Sequence, residues 1–260
     1  MSGDVITPDL GRSTRRLIVW EIVIVMAVAL GRSAIYSIIT LVDRLTQPTP
    51  LGQQTTSMNN SVTPDRPWLD LAYQVYYVIL PVAQVLLILY LLHLAHGQAR
   101  RLIGFDLTKV GPDLVKGVGM LLAVGIPGLG FYLLARAIGI NTNVVPANLT
   151  AVWWTIPILL VNAAMAGISE ETIMIGYLLT RLRTLGWNPF VAIVVSALIR
   201  GSYHLYQGWG GAIGNLVMGL AFGLLFLKWK RVMPFVITHF LIDAFAFVGY
   251  SLLAPYVSWL

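Results

Sequence analysis

Ile168-Ser169-Glu170-Glu171-Thr172-Ile173-Met174-Ile175-Gly176 sets two adjacent carboxylates inside a run that otherwise reads as membrane-buried. An ionised carboxylate in hydrocarbon costs several kcal/mol, roughly 3 on insertion scales, so such a pair persists only where other groups offset it. The stretch therefore predicts both a membrane bundle and, within it, a functional site. Ala151 to Leu182, which contains it, is too long for one straight crossing at about 1.5 Å per residue. Gly167 and Ser169 just before the carboxylates resemble a helix start, so a break or kink is expected there.

Composition agrees with a membrane protein. Of 260 residues 57% are hydrophobic and 11% charged, which fits one polytopic bundle. Cysteine is absent, which excludes a disulfide framework, a thiolate nucleophile and a Cys-based metal site. The +6 charge does not indicate nucleic acid, because Lys and Arg are spread over short connections between apolar runs. They act as topology signals.

Seven apolar runs follow one another: Leu17 to Val42, Leu69 to Ala95, Gly117 to Gly139, Ala151 to Leu182, Pro189 to Tyr206, Gly211 to Leu227 and Pro234 to Leu253. The fold class is all-α, a polytopic bundle of about seven transmembrane helices, or eight if the break near Ser169 separates two. Met1 to Arg16 reads as a cytoplasmic tail without a cleavage pattern. The seven-helix count puts every Lys- and Arg-rich connection on one side when the amino terminus is inside. Asp43 to Pro67 and Ile140 to Thr150 are then outer loops, and Gly125-Ile126-Pro127-Gly128 loosens the third span. His96 to Lys116 is a surface stretch, either amphipathic or simply solvated, and His96 reads as a loop residue. Glu21 and Arg32 in the first run mark helix-end or inter-helix pairing.

Three intramembrane patches can do acid and base chemistry: Glu170 with Glu171, Arg200 with His204, and His239 with Asp243. Residues four apart share a helical face, so each of the last two patches can offer one polar stripe to a common cavity. A buried carboxylate is pushed towards neutral pH by desolvation and becomes a competent base, and histidine titrates there already. Depth is the obstacle. Along ideal helices Glu170 lies about 16 Å from Arg181 and His204 about 27 Å from Gly186, a mismatch that needs a kink or tilt.

Glu170-Glu171, His204 and His239-x-x-x-Asp243 resemble the CPBP intramembrane proteases, the CAAX prenyl endopeptidases of the Ras-converting type and bacterial Abi-type proteins of bacteriocin processing or self-immunity. The resemblance makes residues 151–260 a protease-like core and 1–150 an amino-terminal tail with three helices. It implies that Glu170 and His204 activate a water, that His239 and Asp243 form the oxyanion side, and that Glu171 supports them. Since an ionised Asp243 would repel an oxyanion, it is either protonated or orients His239. Two positions depart from the family pattern, whose arginine is Ile175 here and whose phenylalanine is Arg200. Arg200 is expected to supply the missing charge to Glu171 from the next helix.

The expected activity is hydrolysis of a peptide bond near the membrane surface of a bacterial cytoplasmic (inner) membrane. The substrate class is a membrane protein or peptide within the lipid bilayer. A non-catalytic scaffold or partner subunit of a membrane complex is the alternative, and a transporter is a weaker one, because no repeated half with broken helices is evident. No metal is expected. Zinc on Glu170, His204 and His239 is a weaker option, with neither a His-Glu-x-x-His helix nor cysteine to support it.

Overall fold

The computed structural model describes residues 11–254 and 256, so most of the expected cytoplasmic tail, residues 1–10, lies outside the described residues. Among the described residues six helices are long and apolar enough to cross a membrane: α1 (Arg12–Thr46), α2 (Pro67–His96), α3 (Val110–Ala137), α4 (Thr155–Thr184), α6 (Trp209–Trp229) and α7 (Met233–Leu253), with the shorter α5 (Pro189–Ser202) between α4 and α6. The architecture is an all-α polytopic bundle. Each apolar run became one helix because hydrocarbon leaves a chain no partner for its amides except itself. Pro67, Pro189 and Pro234 occupy first or second helical positions, where a missing N–H is harmless. The Asn188 side chain caps the Phe190 amide at the start of α5.

Three expectations need correction. No break separates Gly167 from Glu170: α4 runs unbroken, and Ser169 Oγ donates back to Met165 O at 2.6 Å rather than capping a new helix. The irregularity comes later, as a π-helical turn over Thr172–Leu178 directly after Glu171. The fifth segment ends at Ser202, not Tyr206, and its 14 residues span only about 21 Å, short of the hydrocarbon core. His96 is the last residue of α2 and not a loop residue.

Gly167 has a different purpose from the one expected. A Cβ there would lie 3.0 Å from both Phe240 N and Val236 O, so its absence lets α4 and α7 touch backbone to backbone. The α3 loosening is also a π turn, Leu121–Gly125, immediately before Pro127. Another π turn, Ala27–Gly31 in α1, has carbonyls at Val28 and Ala29 that accept from Gln84 of α2.

The two outer loops are not independent. Strand β1 (Thr55–Ser57) from the first pairs in parallel with β2 (Asn143–Val145) from the second, Thr56 opposite Val144. Hydroxyls hold this small sheet onto the segment between α5 and α6. Thr142 donates to Gln207 O at 3.0 Å and accepts from Thr56 at 2.7 Å, with Tyr206 O 3.3 Å from the Thr56 hydroxyl.

At the opposite, basic end, ionic contacts tie the helices together. Glu21 of α1 pairs not with Arg32 but with Arg181 of α4, at 2.9 and 2.5 Å, and accepts from Tyr177 at 2.9 Å. Arg15 reaches Leu185 O at 3.1 Å. In the α6–α7 turn, Arg231 Nη2 meets Asp113 at 2.7 Å and Asp106 at 3.0 Å, while Val232 N donates to Ile103 O at 2.7 Å. The hydrogen bond from Arg231, then that from Thr108, holds the Asp106 carboxyl well below the usual carboxylate range. The Asp113 hydrogen bond keeps the Arg231 guanidinium charged beyond its ordinary value.

Candidate active site

Glu171 is fully buried midway along α4, and one of its oxygens joins three helices. Arg200 Nη2 of α5 is ion-paired to Oε1, and Nδ1 of His239 from α7 lies 2.7 Å from the same atom. An ionised carboxylate only accepts, so Nδ1 carries the proton in this contact. The Arg200 guanidinium lies 5.6 Å from the Phe222 ring of α6. Closeness of α5 to α6 depends on Gly201, where a Cβ would fall 2.9 Å from Ala212 O. The guanidinium thus stands where the departures at Ile175 and Arg200 place it.

Glu170, one residue earlier, points about 100° away around the helix. Tyr203 donates to its Oε2 at 2.7 Å, while Arg200 Nη2 and His204 Nε2 each stand 3.8 Å from that atom, within ion-pair reach but too far for a hydrogen bond. His204 occupies the turn after α5, between the rings of Tyr203 at 4.8 Å and Tyr206 at 6.2 Å. On the far side of the lock, Nε2 of His239 stands 3.5 Å from Asp243 Oδ2. The side chains of Glu170 and Asp243 are 19% and 20% exposed, against none for Glu171, so the two outer carboxylates are partly accessible and the inner one is not.

Several buried polar atoms of this cluster have no hydrogen-bond partner among the described residues: Glu171 Oε2, Arg200 Nε and Nη1, and both ring nitrogens of His204. Buried polar groups are rarely left unpaired, so such a concentration marks a place built to engage something else.

The depth mismatch disappears with the observed helix limits. From Glu170 to Thr184 the rise is about 21 Å, and from Pro189 to Ser202, where α5 ends just before His204, it is about 20 Å. Of the expected residues, Glu170 and His204 face each other, and Glu171, Arg200, His239 and Asp243 form a line beside them. His239 bonds Glu171 rather than Glu170. The zinc set Glu170, His204 and His239 is split accordingly, and among the described residues no group of three His, Asp or Glu side chains could hold a metal ion.

The run Tyr203-His204-Leu205-Tyr206-Gln207-Gly208-Trp209-Gly210 suits a cavity mouth or an aromatic belt almost equally, so sequence reasoning assigns Tyr203 no role of its own; its place directly before a histidine is the signal it carries. Met58, just after β1, was missed as well: its sulfur lies 3.7 Å from Tyr206 Oη and 3.9 Å from Gln207 Nε2. No short-range signal in the sequence leads to it.

Residues 152–245, the region holding all these side chains, match the family model of the Rce1-like type II CAAX prenyl endopeptidases. Neither a curated protein nor a solved structure matches the chain.

Proposed function

From this kinship with a family of membrane proteases, we propose that the protein is an intramembrane endopeptidase that hydrolyses a peptide bond near the membrane surface with Glu170 and His204. The observation that carries the reading is the Glu170–His204 pair, 3.8 Å apart, partly open, with both imidazole nitrogens unengaged. Glu170, oriented by Tyr203, accepts a proton from a water. The resulting hydroxide attacks the scissile carbonyl, and the proton passes to the departing amine as the tetrahedral intermediate collapses, with His204 as the relay. His239 faces the oxyanion. With the Nδ1 proton engaged by Glu171, Nε2 donates to a developing charge only as the imidazolium; it stands 3.5 Å from Asp243, longer than an ordinary hydrogen bond, while Glu171 and Arg200 fix the ring from behind.

The substrate is a membrane protein or peptide, with a prenylated carboxyl terminus as one option within the family. The basic residues gathered at the α1-start end of the bundle support an amino terminus in the cytoplasm of a bacterial inner membrane. A scaffold that keeps the protease fold is favoured by one specific observation, the Arg200 replacement that turns the Glu171 neighbourhood into a buried lock.

The test replaces Glu170→Ala and His204→Ala separately in cells and compares protein termini in the membrane fraction by proteomics. The expected outcome is a membrane protein that accumulates uncut in both variants. Unchanged termini in both, with loss of a membrane complex in Arg200→Ala, would establish the scaffold instead.

A further inference from the structure

The stretch between α2 and α3 has no part in this chemistry, yet it forms a cavity. The chain turns at Gly97, and the four-residue helix Ala99–Leu102 folds back towards the last turns of α2. Between them lies a cavity of about 480 Å³, lined by Leu89, His93, Gln98, Ala99, Arg100 and Arg101. Its charge is one-sided. The nearby carboxylates Asp106 and Asp113 are both held by Arg231. Among the described residues no carboxylate pairs with Arg100 or Arg101. Arg100 donates through Nε to Phe105 O at 3.4 Å and Arg101 through Nη1 to Gln98 Oε1 at 3.3 Å, which leaves further N–H groups on each guanidinium.

We propose that this cavity binds the phosphate of an anionic phospholipid from the leaflet at the basic end of the bundle. Position argues for a lipid rather than a free anion. Leu89 forms an apolar wall, and the exposed Leu86 and Val82, on the same side of α2 and further into the span, continue it towards where acyl chains run. Two guanidiniums at the end of a membrane helix match the phosphate in charge and fork geometry. The inference needs only that the helices lie in a bilayer, and it holds whether or not Glu170 and His204 cleave peptides.

Native mass spectrometry of the purified full chain tests it, with phosphatidylglycerol, phosphatidylcholine and inorganic phosphate as probes. Phosphatidylglycerol is expected to be retained over phosphatidylcholine, and retention to fall about thirtyfold in the double variant Arg100→Gln, Arg101→Gln. The control Lys228→Gln, Lys230→Gln removes the same charge from the same end and should keep it. Leu89→Trp, which fills the cavity and leaves the charges, should also lower retention. Equal losses in both charge variants would reduce the effect to general surface charge and overturn the site. Competition by inorganic phosphate at the same concentration would assign the cavity to a free anion and overturn the lipid.

Discussion

Two arginines each gather two carboxylates, Arg231 from two segments and Arg200 from adjacent positions of α4, and the contrast between them separates architecture from chemistry. Arg231 sits at the edge of the bundle, directs Nε and Nη2 at Asp113 and Nη2 at Asp106, and among the described residues none of these three side chains has a buried atom without a partner. Arg200 lies within the bundle, reaches Glu171 through Nη2 alone, and among the described residues makes no hydrogen bond through Nε and Nη1, just as the ring nitrogens of His204 make none. Saturation is what a clamp needs, since a satisfied network specifies one geometry. Incompleteness destabilises a fold, so it persists where the site does something besides holding helices together.

Arg200→Ala should give the largest effect. It strands Glu171 beside His239, and removing one partner from a buried ion pair costs about 3–5 kcal/mol. The expected result is little folded protein in the membrane fraction and a collapsed melting transition in detergent. Arg200→Phe with Ile175→Arg should recover it by moving the cation from α5 to α4, one turn after Glu171; a double variant no more stable than the single one would mean the charge exchange is misread.

Next come paired replacements that contrast the two clusters. Arg231→Met with Asp113→Leu should melt within about 1–2 kcal/mol of the parent, because well-packed apolar groups commonly match a buried ion pair. Processing of the substrate's terminus should survive. Arg200→Met with Glu171→Leu should regain stability over Arg200→Ala but not processing, since His239 loses its orienting acceptor. If both pairs behave alike, the distinction between clamp and site falls.

Tyr203→Phe is smaller. The lost hydrogen bond to a charged group is worth roughly 1.5 kcal/mol or more, so turnover should drop about tenfold. Melting should change little, because Glu170 is partly open to solvent.

The smallest effect is acid sensitivity at Arg231. The Asp106 carboxyl is held below its ordinary range, so its contribution is complete above the unfolded value of about 4 and is lost as pH falls through the lower folded one. Asp106→Asn should flatten part of the decline in melting temperature below about pH 4.

Much of this was legible in the sequence because hydrocarbon enforces simple rules. Glu170 and Glu171 required partners, and the exchange of Ile175 and Arg200 named one of them before any geometry was known. What could not be read is rotation. Neighbouring residues on a helix point about 100° apart, so whether His239 meets Glu170 or Glu171 depends on how α7 is turned against α4, and that is set by the backbone contact at Gly167. Ser169 misled because a hydroxyl that caps in water bonds its own helix in lipid. The β1–β2 pair escaped because three-residue strands from distant loops leave no periodic trace, and the π turn after Glu171 because no residue type demands it.

The sharing of Glu171 also governs the order in which the chain can settle during its synthesis. Arg200 emerges 29 residues after Glu171 and His239 emerges 68 after it. Until α5 follows, α4 carries two naked carboxylates into the bilayer, and α5, short and bearing an arginine, is a poor passenger alone. The two therefore partition as a hairpin in which Arg200 offsets one of the two carboxylates, and α7, following later, closes around a pair already made.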